Sequence, residues 1–214
     1  MRPVRAVAFD FNGTLSDDEP ILLSVYQEMF AEHGRPLSEA EYFENLAGRS
    51  EEAIIASWLG AEGDVLATLV EERIDRYLAR CGSGETVSAS RRDAVAYAAA
   101  RVPVAVVSGA FRREIEPVLA GAKLEEYVSV LVAADDVERG KPDPAGYLLA
   151  LELLGGVAGS DAVAFEDTEA GVASAKAAGL RCIAVAGTHP PDRLHLADEL
   201  VPTLDSAVLR WILG

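Results

Sequence analysis

Residues 4–15 of the chain read VRAVAFDFNGTL. Apart from Arg5, the part before Asp10 is a short apolar run rich in Val and Ala, which is typical of a strand buried on both faces. The run ends at Asp10, and the NGT that follows indicates a turn. A carboxylate at the carboxyl end of a buried parallel strand lies at the edge where open α/β sheets bind ligands. A single Asp is also a common turn cap, so this interpretation needs further polar residues at the same edge.

Strands and helices alternate along the second half of the chain. The predicted helices lie at 91–101, 112–119, 144–154, 168–178 and 206–213, and the predicted strands at 102–107, 128–133, 162–165 and 182–185. Such alternation is typical of a parallel, doubly wound sheet. The predicted fold class is therefore α/β with a Rossmann-like core.

A block with helical spacing separates the first strand from this alternating region. One predicted helical face carries Ile21, Leu22, Val25, Tyr26, Met29 and Phe30. Ser38 and Ser50 each precede an acidic turn and indicate helix caps. A further helix, at about 64–80, ends at the flexible sequence GSG at 82–84. We predict an α/β core at 1–16 and 85–214 and an all-helical cap at 17–84, which closes over substrate about hinges at 16–17 and 82–84.

The chain has 214 residues and a formal net charge of −16. Such an acidic balance disfavours DNA, RNA and anionic membranes as partners. The predicted cap contributes much of the charge, because residues 17–84 contain 15 acidic and 5 basic side chains and no Lys. An anionic substrate would need local positive charge, for which a metal ion is a ready source.

Targeting and redox signals are absent from the sequence. No uninterrupted apolar run approaches the ~18 residues of a membrane span. The first residues lack the apolar region and cleavage site of a secretory signal. Cys81 and Cys182 show no metal or redox spacing. We therefore expect a cytoplasmic protein.

Glu166 and Asp167 directly follow the predicted strand at 162–165, so they reach the same sheet edge as Asp10. Three carboxylates at one place would repel one another strongly without a cation. Oxygen ligands of this kind are those that Mg²⁺ favours. The acidic pair is equally compatible with the first turn of a helix, where negative charge is stabilised.

Two further polar segments follow predicted strands. Ser108-Gly109 ends the strand at 102–107, and a hydroxyl with backbone N–H groups at a helix N-terminus can hold phosphate oxygens, although Ser-Gly is also a common turn. Lys141 lies in RGKPDP, between a strand and a helix. Its ammonium could offset the acidic cluster, although most lysines are solvated surface residues.

The motifs DFNGT, VVSGA, RGKPDP and FEDTEAG, in this order from Asp10 to Asp167, resemble the four motifs of the haloacid dehalogenase superfamily. The resemblance covers essentially the whole chain, including the helical insertion, and is closest to the phosphatase and β-phosphoglucomutase-like branch. A response-regulator receiver uses similar residue types, but its acidic pair precedes the phosphorylated Asp and it has no cap. A dinucleotide-binding protein is excluded because no G-x-G-x-x-G follows the first strand.

The resemblance implies a set of catalytic and metal-binding residues. Asp10 would be the nucleophile that forms an aspartyl-phosphate. Mg²⁺ would be held by the carboxylate of Asp10, the backbone carbonyl of Asn12 and the carboxylate of Asp167, with Glu166 in support through water. The implied activity is that of a hydrolase.

The resemblance also implies how a phosphorylated small molecule is held. Ser108 and Lys141 would bind the phosphoryl oxygens. Thr14 and Gly109 would contact the substrate at the core. Arg49, in the loop AGRS of the cap, would bind an anionic or hydroxyl-rich part of it, unless it is simply a solvated loop residue.

Asn12 departs from the family pattern. Phosphatases and mutases of this family carry a second Asp at this position as general acid and base, and an amide can do neither. The loss of such a group lowers rates by roughly 10²–10⁴. We therefore expect a Mg²⁺-dependent phosphatase of a small phosphomonoester that is slow or limited by its leaving group. The alternative is a weak or inactive member that acts as a phosphometabolite sensor, whereas a sugar phosphomutase is disfavoured because it moves protons in both directions.

Two relatives without that Asp do not match the sequence. The phosphonate-cleaving branch uses a cap Lys to form a Schiff base, and residues 17–84 contain no Lys. The dehalogenases lack the acidic pair of the fourth motif, which is present here as Glu166-Asp167.

Overall fold

The computed structural model describes residues 3–214, and its centre is a parallel sheet of six strands. The spatial order of the strands is β3-β2-β1-β4-β5-β6, and each neighbouring pair is parallel. This order confirms the doubly wound, Rossmann-like prediction. The strands are β1 (Ala6–Phe9), β2 (Val104–Val107), β3 (Val130–Val132), β4 (Ala162–Glu166), β5 (Arg181–Val185) and β6 (Glu199–Val201).

Within residues 3–214, four α-helices lie between β1 and the rest of the sheet, and five accompany the other strands. The inserted helices are α1 (Glu19–Glu32), α2 (Glu39–Asn45), α3 (Glu51–Leu59) and α4 (Gly63–Cys81). The others are α5 (Ala89–Ala99), α6 (Arg112–Gly121), α7 (Ala145–Leu153), α8 (Glu169–Ala177) and α9 (Ser206–Leu213). The predicted caps are confirmed, because the Ser38 and Ser50 side chains accept the N–H groups of Glu41 and Ala53.

Alternation along the strands gives the sheet two different faces. One face carries large residues such as Val7 and Phe9, which pack with α5, α6 and α9. The other face is formed mostly by small residues such as Ala6 and Ala8, which pack with α7 and α8. The four central strands β2, β1, β4 and β5 are therefore buried on both sides, as their continuous apolar sequences predicted.

The inserted helices have a hydrophobic cluster of their own. Its aromatic members include Tyr26, Phe30 and Tyr42. Trp58 packs against this cluster and donates its indole N–H to the Arg35 carbonyl at 2.8 Å. Phe111, next to α6, is packed against the same cluster. We keep the boundaries at 16/17 and 84/85 as our proposed division between core and cap.

The structure differs from the predicted elements mainly at β6. This short edge strand pairs only with β5 and is followed by Pro202, and its exposed Leu200 breaks the pattern of a buried strand. The predicted strand at 102–107 begins at Val104, because Pro103 has no N–H to contribute to the ladder.

Among the described residues, no single helix is long and apolar enough to cross a membrane. The helices α3 and α4 reach that length and composition only when they are taken together, and they meet at a bend of 119°.

Candidate active site

Neighbouring strand ends bring the polar motifs together. β1 pairs with β2 on one side and with β4 on the other. Asp10 follows β1 and Ser108 follows β2, while Glu166 is the last residue of β4 and Asp167 is the next. Lys141 reaches the same edge from the segment between β3 and α7. Residues far apart in sequence therefore meet because parallel strands end on one side of the sheet.

Lys141 lies between two carboxylates. Its Nζ is 2.5 Å from Asp10 Oδ1 and 2.6 Å from Glu166 Oε1, and it donates to the Val107 carbonyl at 3.0 Å. Burial lowers the pKa of the Lys141 ammonium, but the attraction of Asp10 and Glu166 outweighs burial and leaves the pKa above its usual value. The ammonium therefore stays charged beside Asp10.

Asp10, Glu166 and Asp167 form a buried carboxylate cluster. One oxygen from each lies within 4.8 Å of the others. Within residues 3–214, the buried atoms Glu166 Oε2 and Asp167 Oδ2 have no hydrogen-bond partner. Burial raises the pKa of Asp167, and repulsion by Asp10 and Glu166 adds to it. A cluster of unsatisfied carboxylate oxygens fits a hard divalent cation such as Mg²⁺.

Thr14 does not lie in the cavity described below, where the predicted role in substrate binding would place it. Its side chain is fully buried, and its hydroxyl donates to Asp167 Oδ1 at 2.9 Å. The neighbouring Gly13 has φ +76°, and a Cβ on it would lie 2.0 Å from Asp167 Oδ2. The tight turn folds Thr14 inwards, so both residues orient Asp167.

Tyr147 and Gly171 set the position of Glu166. The Tyr147 hydroxyl donates to Glu166 Oε1 at 2.6 Å. A Cβ on Gly171 would lie 1.8 Å from Glu166 Oε2, so the carboxylate occupies the space that a side chain would take. No sequence signal pointed to Tyr147, because a tyrosine among the apolar residues of a helix is usually a packing residue.

Ser108 and Gly109 form the loop between β2 and α6. Ser108 Oγ accepts the N–H of Ala110 at 3.1 Å, which leaves its own hydroxyl proton available as a donor. A Cβ on Gly109 would meet no atom within 4 Å, so the backbone there is open to a ligand. The loop can thus bind phosphoryl oxygens at the start of α6.

A cavity of about 530 Å³ opens above the carboxylate cluster, between the sheet edge and the inserted helices. The predicted site residues that line it are Asp10, Asn12, Arg49, Ser108, Gly109 and Lys141. Glu166 and Asp167 are fully buried beneath its floor. The cavity has the size of a site for a small metabolite.

Arg49 is exposed and lines the cavity from the cap. The preceding Gly48 has φ +83°, and a Cβ on it would lie only 3.1 Å from the Thr168 Cβ. Thr168 directly follows Asp167 and caps α8. The cap loop therefore rests on the core beside the carboxylate cluster, which places Arg49 at the cavity entrance.

The side chain of Asn12 is bound to Asp18. Asn12 Nδ2 donates to Asp18 Oδ2 at 3.0 Å, and the Tyr77 hydroxyl donates to the same oxygen at 2.6 Å. The Gly13 N–H donates to the other oxygen at 3.3 Å. Burial raises the pKa of Asp18, which is fully buried. Sequence reasoning missed this carboxylate because its partners come from α4 and from the turn.

The comparisons with known proteins agree with the geometry. Residues 4–179 match the family model described as haloacid dehalogenase-like hydrolase. The validoxylamine A 7'-phosphate phosphatase of Streptomyces hygroscopicus subsp. limoneus is 33% identical over 211 residues, which cover 97% of this chain and 96% of that protein. The phosphorylated carbohydrates phosphatase of Thermotoga maritima is 31% identical over 183 residues, which cover 84% of each chain.

A solved structure gives the same result at the level of the fold. CbbY from Rhodobacter sphaeroides, in complex with phosphate, is similar with a TM-score of 0.84 and 29% sequence identity, covering 94% of this chain and 95% of that chain. The resemblance that the four motifs indicated is thus confirmed by the family model, the related sequences and the fold. The chain belongs to the haloacid dehalogenase-like hydrolase family.

Proposed function

We propose that the protein is a Mg²⁺-dependent phosphatase that hydrolyses a small phosphomonoester through an aspartyl-phosphate on Asp10. The observation that carries this proposal is the meeting of Asp10, Lys141 and the buried pair Glu166-Asp167 at the floor of one cavity. The related phosphatases named above act on phosphorylated small molecules. A cytoplasmic location remains a prediction from the sequence.

Asp10 has the position required of a nucleophile. It lies at the cavity floor with its side chain about one-tenth exposed, and Lys141 holds one of its oxygens. The other oxygen can attack a phosphorus atom held above it, in line with the bond to the leaving group. Lys141 and the Ser108 hydroxyl then bind the phosphoryl oxygens and offset their charge.

Asp10, Asp167 and the Asn12 carbonyl would hold Mg²⁺, with Glu166 supporting them. When bound, the metal would add positive charge beside the phosphoryl group. The acidic surroundings make this contribution important, because the Lys141 ammonium is already paired with two carboxylates, those of Asp10 and Glu166. Arg49 would bind the remainder of the substrate at the cavity entrance.

The first prediction tests the nucleophile. Asp10→Asn removes the attacking carboxylate but keeps the size of the side chain, so hydrolysis of every phosphomonoester should be abolished without unfolding. Asp17→Asn is the matched control, because Asp17 is exposed in the same loop and should leave turnover unchanged. Phosphate release is measured with excess Mg²⁺ and again after removal of divalent metal, which should also abolish it. Turnover that survives either treatment contradicts the proposal.

A second candidate function rests on Asn12. Because its amide cannot transfer protons, the protein could instead bind a phosphorylated metabolite as a sensor with little turnover. A screen of phosphorylated metabolites separates the two functions. Release of phosphate supports the phosphatase, whereas thermal stabilisation without release supports the sensor.

A further inference from the structure

The cavity is lined by carboxyl groups that the four motifs do not include, and Glu19 is one of them. Glu19 is the first residue of α1 and lines the same cavity as Asp10. Its Oε2 accepts the hydroxyl of Tyr42 at 3.1 Å. Tyr42 is itself buried and packs against Tyr26 and Phe43, so the carboxyl group is held by a rigid partner.

Glu19 differs from the neighbouring acid of the cap. Glu51 is paired with the buried guanidinium of Arg73 at 2.8 Å and also accepts the hydroxyl of Tyr26. For Glu19, no Lys or Arg nitrogen of residues 3–214 lies within ion-pair distance, and no donor reaches its Oε1. One oxygen of Glu19 is therefore free to act on a ligand in the cavity.

Glu19 lines the cavity from the first of the inserted helices. Asp10 attacks from the floor, so the bond to the leaving oxygen breaks on the opposite side, toward the cap. Glu19 lies where the chain passes from the catalytic turn into the first cap helix. The Asn12 side chain, by contrast, is engaged with Asp18.

We propose that Glu19 is the general acid that protonates the leaving oxygen, in place of the Asp that Asn12 replaces; this role rests on the proposed phosphatase function. As Asp10 forms its bond to phosphorus, the bond from phosphorus to the leaving oxygen breaks and that oxygen keeps the electron pair. The oxygen takes the Glu19 proton and leaves as an alcohol. Water then attacks the aspartyl-phosphate, returns a proton to Glu19 and releases Asp10.

The electrostatic surroundings keep a proton on Glu19. Burial raises the pKa of Glu19 to about 8, and the charge of Asp18 acts in the same direction. The hydrogen bond from Tyr42 lowers the pKa, while the charges of Asp10 and Glu51 raise it further. A carboxyl group in such surroundings is protonated near neutral pH and can act as an acid.

The test is the dependence of kcat/KM on the leaving group. A series from 2,4-dinitrophenyl phosphate through phenyl phosphate to an alkyl phosphate is hydrolysed with excess Mg²⁺ near neutral pH. We expect a shallow dependence for the unmodified protein, since the departing oxygen is protonated. In Glu19→Gln the alkyl phosphate should lose about 10²- to 10⁴-fold in kcat/KM, while the dinitrophenyl ester, whose leaving group needs no proton, should change by less than about threefold.

Glu52→Gln is the matched control. Glu52 lines the same cavity and is exposed, so this variant makes the same Glu-to-Gln replacement without removing the Glu19 proton and should keep the shallow dependence. The Gln side chain at 19 can still accept the Tyr42 hydroxyl, and thermal unfolding checks that the fold is retained. Loss on all esters alike would indicate a structural role and would overturn the proposal.

Four other results are informative. A steep dependence in the unmodified protein means that no acid acts, and a shallow dependence that persists in Glu19→Gln assigns the acid to another residue; both overturn the role of Glu19. The measurement on the unmodified protein holds even if the variant does not fold. Absence of hydrolysis of every ester, or hydrolysis that persists in Asp10→Asn, instead overturns the phosphatase function itself.

Discussion

The position of Glu166 depends on a residue that has no side chain. Gly171 lies in the first turn of α8, and Glu166 Oε2 fills the space beside it. Tyr147 and Lys141 hold the other oxygen, so contacts on both sides fix the position of the Glu166 carboxylate. The geometry of the carboxylate cluster therefore rests on close packing between a helix and the strand end below it.

Gly171→Ala should disrupt the cluster although alanine favours helices. The new Cβ would displace Glu166, so we expect Mg²⁺ affinity and turnover to fall by about 10- to 100-fold. Affinity is measured by calorimetry and turnover by phosphate release. Gly146→Ala is the matched control, because a Cβ there would meet the Val107 side chain at 3.2 Å and leave the cluster untouched. Equal metal affinity in both variants would contradict this account of Gly171.

At the scale of elements, the two chain segments that join cap and core run side by side. Ser16 Oγ donates to Thr86 Oγ1 at 2.7 Å, and the Asp17 N–H donates to the Thr86 carbonyl at 2.9 Å. Gly84 has φ +75°, and a Cβ on it would lie 2.2 Å from the Ala122 N atom at the end of α6. The close contact fixes the backbone at Gly84, so rotation about the predicted hinge would have to occur at the bonds nearer α4.

Ser83→Pro should alter turnover and KM together if the cap moves as a lid. Gly82 lies in the right-handed helical region, at φ −60° and ψ −15°, which a following Pro disfavours. The closed arrangement would then be strained, so binding and chemistry would both change. Ala89→Pro is the control, because it lies at the first position of α5 and its preceding residue is extended. Unchanged kcat and KM in a folded Ser83→Pro protein would argue against lid motion.

At the scale of the whole molecule, Arg73 joins the cap to the core. Its guanidinium is fully buried and paired with Glu51 of the cap and Glu114 of α6. Glu114 also accepts the Phe111 N–H, at the end of the loop that carries Ser108. One buried cation thus connects the cap helices to the segment that would bind the phosphoryl group.

Glu114→Gln should destabilise the protein strongly. The variant leaves the Arg73 charge buried with one partner fewer, and the free energy of unfolding should fall by about 3–5 kcal/mol. Glu71→Gln is the matched control, because Glu71 and Arg113 form a second cap–core pair that is exposed and should contribute no more than about 1 kcal/mol. Urea unfolding measures both. An equal decrease in the free energy of unfolding in the two variants would show that burial does not set the contribution of the Arg73–Glu114 pair.

Local sequence patterns were sufficient for most of the architecture. The strands were predictable because continuous apolar runs such as AVAF and VAVV satisfy a position buried on both faces. The helix caps at Ser38 and Ser50 were predictable because capping is a contact within four residues. The edge strand β6 was not predictable from its own sequence, because its three residues form no buried apolar run. It is a strand because it pairs with β5.

The fold class, the order of elements and the residues that meet at the sheet edge could be predicted from the chain alone, because parallel strands place their carboxyl ends on one side whatever their separation along the chain. The side chains that face the cavity, by contrast, are selected by tertiary contacts. Thr14 turned inwards to Asp167, whereas Glu19 lines the cavity, where burial among other carboxylates raises its pKa. Orientation and desolvation depend on neighbours contributed by distant segments, such as Tyr42 beside Glu19, and no local pattern in the chain encodes them.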